Sequence, residues 1–336
     1  MPKLSIIIPV YNSEKYLKKT LDSLINQSYK DFDVLCINDC SSDNSLQILE
    51  GFAKQDKRVT IINNEKNIGA ALSRNVGIDN AGGKYIYFLD SDDYIEEKYL
   101  ECMVEKIEQE NCDIALNLSI ITETNGVSSP YKHPSMPEIN PNGEYLDKIL
   151  TIHNAPCFIW ARLYKKDFLN NFNLRFLNTH ADDVVFNTIT TMYSEKTFVF
   201  YGENYHYTIN PQSMTGQAEI SNSKDINHIK AHSIIYDFLK ERKILNNNLK
   251  LFRVYPFMKV DNEEKFNYCK KFFEKIESDF HKNEYIYNEM EKFFAYSLLN
   301  TQTYDEYLKT YNKVVTIGFL RQKKNSLPLI KKECRL

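Results

Sequence analysis

Tyr85-Ile86-Tyr87-Phe88-Leu89-Asp90-Ser91-Asp92-Asp93 is an apolar run that ends in three carboxylates within four residues. Residues 85–89 have the length and composition of a buried strand. Carboxylates this close repel one another unless a cation or solvent relieves them. Hard divalent cations, Mg²⁺ or Mn²⁺, prefer such oxygen ligands, with phosphate oxygens completing the shell. The alternative is a helix N-terminus, where Asp favours the positive end of the dipole. That reading applies best to Asp93.

Outward from this stretch, strands and helices alternate. Leu4–Val10 is a continuous apolar run and reads as a buried parallel strand. A helical stripe of Tyr16, Leu17, Leu21, Leu24 and Ile25 follows within Glu14–Gln27, with Ser13 as its expected N-cap. Asp33–Ile37, Val59–Ile62 and Ile114–Ser119 read as further strands; Ser45–Ala53, Ala70–Asn80 and Glu97–Glu110 read as helices. Repeated βα units predict an α/β fold, a mainly parallel sheet flanked by helices. Ligands of such sheets bind beyond the carboxyl ends of the strands. The candidates there are Pro9-Val10-Tyr11-Asn12, Asn38-Asp39 and Asp90-Ser91-Asp92-Asp93. Residues 123–143, rich in Pro, Ser, Asn and Gly, read as a long loop. From Ser221 onward the pattern is helical, with Ile286, Met290, Phe293, Phe294 and Ser297 on one face.

Bulk properties exclude several classes. The 336 residues suffice for one large domain and a smaller one, and a net charge of −3 argues against nucleic acid as a partner. Seven cysteines without a CxxC pair suggest neither a disulfide framework nor a zinc site, which fits a reducing cytoplasm. The apolar run after Lys3 is too short for a signal peptide's core, and no stretch reaches the length of a membrane span. The basic tail, with Lys323, Lys324, Lys331, Lys332 and Arg335, reads either as a peripheral contact with anionic lipid or as a solvated terminus.

Ser5-Ile6-Ile7-Ile8-Pro9-Val10-Tyr11-Asn12 resembles the opening of family 2 glycosyltransferases, which have the GT-A fold. Asn67-Ile68-Gly69, Arg74-Asn75, Gly77, Ala81-Gly82-Gly83-Lys84-Tyr85-Ile86 and Phe88-Leu89-Asp90-Ser91-Asp92-Asp93 are similar to that family's central signature. Trp160-Ala161-Arg162-Leu163-Tyr164-Lys165 and Ala181-Asp182-Asp183-Val184-Val185-Phe186 resemble two later segments. The likeness covers roughly residues 3–215. It implies a GT-A domain over 1–215, with a Rossmann-like nucleotide-binding half; the helical pattern over 216–336 falls outside the resemblance and reads as a region that shapes the acceptor site or docks to a membrane or partner.

The resemblance also implies roles. Pro9, Tyr11 and Asp39 would hold base and ribose, and Asn67 and Arg74 would line the nucleotide–diphosphate cleft. Asp90 would contact ribose or metal, with Ser91 beside it in the donor site; Asp92 would ligate Mg²⁺ or Mn²⁺. Asp183 would be the general base, and Asp182 a contact for the acceptor. The implied reaction is an inverting, metal-dependent transfer from a nucleotide diphosphate-sugar, a uridine nucleotide by analogy, to a hydroxyl of a glycan or lipid-linked glycan. Cell-surface polysaccharide synthesis on the cytoplasmic side is the implied setting.

Several readings stay open. Tyr11 stacks on a base or packs; Asp39 bonds a ligand or its own turn. Arg74 forks onto phosphate oxygens or pairs with a nearby acid. Trp160, the only tryptophan, walls a sugar or fills the core. His206, between two tyrosines, reaches a metal or is structural. A sugar-phosphate nucleotidyltransferase would share such a sheet, yet no glycine-rich phosphate loop follows the first strand. A non-catalytic carbohydrate-binding protein is the other alternative.

Overall fold

The computed structural model describes residues 2–124, 126–131, 140, 142–145, 158–179, 181–209, 224–243, 260, 262–282 and 297–309. The chain divides into two compact units, Met1–Ile220 and Ser221–Leu336. The first is built around an eight-stranded sheet. Its strands are β1 (Leu4–Val10), β2 (Phe32–Asn38), β3 (Val59–Asn63), β4 (Tyr85–Phe88), β6 (Ile114–Asn117), β9 (Glu144–Tyr145), β10 (Arg162–Lys165) and β11 (Thr197–Phe200), in the order β3-β2-β1-β4-β10-β6-β11-β9. Neighbours run parallel except around β10, antiparallel to β4 and β6, and at β9, antiparallel to β11. A second sheet joins β5 (Tyr94–Ile95), β12 (Tyr205–Thr208), β7 (Ile120–Thr124) and β8 (Val127–Pro130) in that order.

Both faces of β1 are covered, so all seven of its residues are buried. That is why it reads as an unbroken apolar run rather than an alternating one. Each of its isoleucines contributes about 2 kcal/mol of apolar burial. The helices α1 (Leu17–Ile25), α2 (Ser45–Gln55), α3 (Ala70–Asn80) and α4 (Tyr99–Gln109) follow the strands, and α3 packs on β1 and β2. Gly77 permits that packing: a Cβ there would lie 2.3 Å from the Ile7 side chain. Two later helices, α5 (Lys166–Asn171) and α6 (Asp182–Tyr193), complete the described part of the first unit.

The chain order reverses at β1: β2 and β3 lie to one side and β4 to the other. The strand ends beside this switch point are where a doubly wound sheet opens a ligand crevice. Val10, Asn38 and Phe88 end three adjacent strands there, with Asn12, Asp39 and Asp90 within two residues of them.

Three sequence expectations change. Ser13 does not cap α1; the cap position is Tyr16 and makes no side-chain bond. The Ser13 hydroxyl instead meets that of Ser91 at 2.7 Å. Asp93 does not start a helix, because β5 intervenes before α4 begins at Tyr99. The expected loop over 123–143 contains a hairpin, with β8 antiparallel to β7. All four β8 residues are exposed, so no apolar alternation marks the strand.

In the second unit, α7 (Lys224–Glu241) and α8 (Glu263–Lys282) pack on each other. The Tyr236 hydroxyl donates to Asp279 at 2.6 Å across that pair. The stripe of Ile286, Met290, Phe293 and Phe294 and the basic tail from Phe319 lie outside the described residues. No helix among the described residues is long and apolar enough to cross a membrane.

Candidate active site

The crevice is built first from turns. Asn12 and Cys40 take left-handed backbone angles, φ 50° and 59°, directly after β1 and β2. The Asn12 side-chain oxygen accepts the Ser42 amide at 2.8 Å, tying the two loops together. Tyr11 projects from the first of them and is 53% exposed, the most accessible of the described aromatics near the strand ends. Pro9 lies inside β1, paired with Ile37. Asp39 is 2% exposed. Its carboxylate accepts the amides of Ile68 at 2.9 Å and Gly69 at 2.8 Å, and the Asn64 side chain at 2.8 Å. Asn67 donates to the Asp39 carbonyl at 3.2 Å. Asp39 thus shapes the loop that enters α3, where Gly69 supplies φ 85°.

The acidic loop after β4 is held from two sides. Thr20 of α1 donates to the Ser91 carbonyl at 3.0 Å. Asp93 is fully buried; it accepts the Tyr205 hydroxyl at 2.5 Å and the Thr208 amide at 2.8 Å. Burial, with the nearby charges of Asp92 and Asp90, drives the Asp93 carboxyl well above the usual carboxylate range. Asp93 therefore anchors the loop to β12, while Asp90 and Asp92 remain partly exposed. Sequence reasoning missed both Tyr205 and this anchoring; partners 112 positions apart leave no local signal.

Arg74 closes the arrangement. It lies in α3 one turn before Gly77 and is 7% exposed. One terminal nitrogen donates to Asp90 at 2.9 Å, the other to Asp182 at 2.9 Å. Burial alone would lower its pKa, but Asp90 and Asp182 outweigh that and raise it. Of the two sequence readings, the structure shows the acid-paired one. Asp182 and Asp183 occupy the first turn of α6, after Ala181 at the cap position. Burial raises the Asp182 carboxyl, and Arg74 opposes that rise. Asp183 keeps a partly exposed side, and its carboxylate accepts the Val184 amide at 2.8 Å. Burial, reinforced by the Asp182 charge, pushes Asp183 up to about 6. A carboxylate poised there can take a proton near neutral pH.

Trp160 is corrected from an acceptor wall to a core residue. It is 3% exposed, and its ring stacks on Tyr205 at 4.0 Å and Phe158 at 4.3 Å. This stack supports Tyr205 and, through it, Asp93. His206 points elsewhere on β12. It stacks on Tyr94 at 4.2 Å and faces Glu96 at 3.3 Å and Glu123 at 3.6 Å. Among the described residues no group of three or more His, Cys, Asp or Glu side chains is arranged to hold a metal by itself. A pair of strand-end carboxylates still suits Mg²⁺ or Mn²⁺, which bind through one or two carboxylates and complete their shell with substrate phosphates.

The family model for glycosyl transferase family 2 matches residues 5–172, half of the chain. This chain belongs to glycosyltransferase family 2. Glycosyltransferase GlyA of Streptococcus pneumoniae serotype 4 is 33% identical over 63% of this chain and 31% of its own length. The poly(ribitol-phosphate) beta-glucosyltransferase of Bacillus spizizenii is 33% identical over 62% of this chain and 32% of its own. The chain thus corresponds to about a third of the length of these curated relatives. Among solved structures, Staphylococcus aureus TarS residues 1–349 with UDP-GlcNAc superimposes with a TM-score of 0.67 at 22% identity, covering 96% of this chain and 92% of that one. The family 2 fold, GT-A with a mainly parallel sheet, is therefore the fold seen here.

Proposed function

We propose that this protein moves a sugar from a nucleotide diphosphate-sugar to a hydroxyl of a glycan or lipid-linked glycan, with inversion. The observation that carries this reading is the buried Arg74 bridge. It ties the strand-end carboxylate Asp90 to the Asp182–Asp183 pair, which lies more than ninety positions further along the chain. Partly exposed strand-end carboxylates that suit a cation on one side and a raised carboxyl on the other suit displacement at an anomeric carbon. A uridine donor fits the solved relative bound to UDP-GlcNAc, and a cell-surface glycan acceptor fits the relative named for poly(ribitol-phosphate).

In this reading Tyr11 offers its exposed ring to the base, and Asp39, Pro9 and Asn67 shape the nucleotide loop. Asp90 and Asp92 would hold Mg²⁺ or Mn²⁺ together with the diphosphate; the bound cation would neutralise the leaving group's charge. Asp183 takes the acceptor proton as the acceptor oxygen forms its bond to the anomeric carbon and the carbon–phosphate-oxygen bond breaks. The products are the inverted glycoside and the nucleoside diphosphate. Asp183 fits this role because its carboxylate is still ionised at pH 7 yet basic enough to accept a proton.

A thermal-shift screen of nucleotide-sugars, with and without Mn²⁺, tests the reading. One donor family should raise the melting temperature in a metal-dependent way. A chain stabilised by none of them, with or without metal, contradicts it.

A further inference from the structure

We propose that Arg74 is a positioning residue rather than a diphosphate ligand: its guanidinium fixes the spacing between the acidic loop after β4 and the first turn of α6. This deepens the glycosyl-transfer reading and rests on it.

The geometry favours positioning. Both terminal nitrogens are already engaged, at 2.9 Å each, by carboxylates from two separate segments. The side chain is 8% exposed and sits 5.5 Å from the Phe176 ring. The Phe176 segment is itself locked to α3, because the Asn75 side chain exchanges two 2.8 Å bonds with the Phe176 backbone. Arg74 is thus immobilised by its helix, by an aromatic ring and by two acids. Turning it toward a phosphate would separate the buried Asp182 carboxylate from its guanidinium partner and leave that charge uncompensated. The planar fork is what allows one residue to hold both acids: a lysine ammonium has no rigid pair of donors aimed in two directions. The consequence is functional. Asp183 follows Asp182 directly, so whatever fixes Asp182 relative to Asp90 also fixes the proposed base relative to the donor.

The test compares Arg74→Met and Arg74→Lys with wild type in the full chain. UDP binding with Mn²⁺ is measured by calorimetry, and turnover by UDP release across a panel of UDP-sugars. Positioning keeps UDP affinity within about threefold while saturated turnover falls about 100-fold, the loss expected for a misplacement near 1 Å, with Lys restoring part of it. A tenfold or greater loss of UDP affinity, or unchanged turnover, overturns the proposal. Wild-type protein without turnover on any donor defeats the glycosyl-transfer reading instead. Hydrogen exchange then judges Arg74 alone: faster exchange in the first turn of α6 in the Met variant supports positioning, and unchanged exchange refutes it.

Discussion

Asp90–Asp93 and Asp182–Asp183 are both short acidic runs, and the fold treats them in opposite ways. The first follows a strand at a sheet switch point and is divided. Asp93 turns inward to Tyr205 and Thr208, while Asp90 and Asp92 stay partly open. The second begins a helix and is drawn inward as a pair, so burial raises both carboxyls. The number of acids in a run therefore does not assign their chemistry. An acid that keeps its solvent can share a cation with a phosphate; one that burial raises yet leaves partly open, as at Asp183, can accept a proton. Arg74 bonds one member of each run and joins the two.

Substitutions put this contrast at risk. The largest effect is expected for Asp183→Asn, which should cut transfer by about 10³-fold, within the range of general-base catalysis, while UDP affinity stays near wild type. Asp92→Ala should do the reverse: metal-stimulated binding of the nucleotide-sugar should fall about 100-fold by calorimetry, as loss of a hard oxygen ligand requires. If the two variants lose the same property, the division between the acidic runs is wrong.

Smaller effects refine it. Tyr205→Phe removes a donor from buried Asp93 and should destabilise the fold by about 1–3 kcal/mol in denaturant unfolding. The pH dependence has a definite sign. Asp183 titrates higher folded, at about 6, than its ordinary 3.8, so its contribution to stability is present below pH 3.8 and lost as pH rises through 6. Asp183→Asn should therefore unfold later than wild type at pH 7 by up to about 3 kcal/mol, and the advantage should vanish near pH 3.8. Turnover moves the other way, falling about tenfold per pH unit below 6 as the base is protonated.

The parallel core was legible because burial on both faces writes itself as continuous apolar runs such as Leu4–Val10. The hairpin strand Val127–Pro130 was not, since a fully exposed edge strand carries no pattern. Within the site, the strand-end rule located Asp39 and Asp90, but not how each is used. Asp39 bonds its own loop, and the partners of Arg74 lie 16 and 108 positions away. Trp160 suited a sugar wall and a core equally by residue type; only its stacking on Tyr205 decides. The second-sheet link from Tyr205 to Asp93 depends on tertiary contact alone.

The glycosyl-transfer account stands or falls most directly on the hydrolysis of UDP-GlcNAc followed by proton NMR, with Mg²⁺ present and water as the acceptor. An inverting enzyme with Asp183 as base forms the β-anomer of GlcNAc first, and Asp183→Asn suppresses its appearance. First formation of the α-anomer, or equal rates in the Asn variant, contradicts the account.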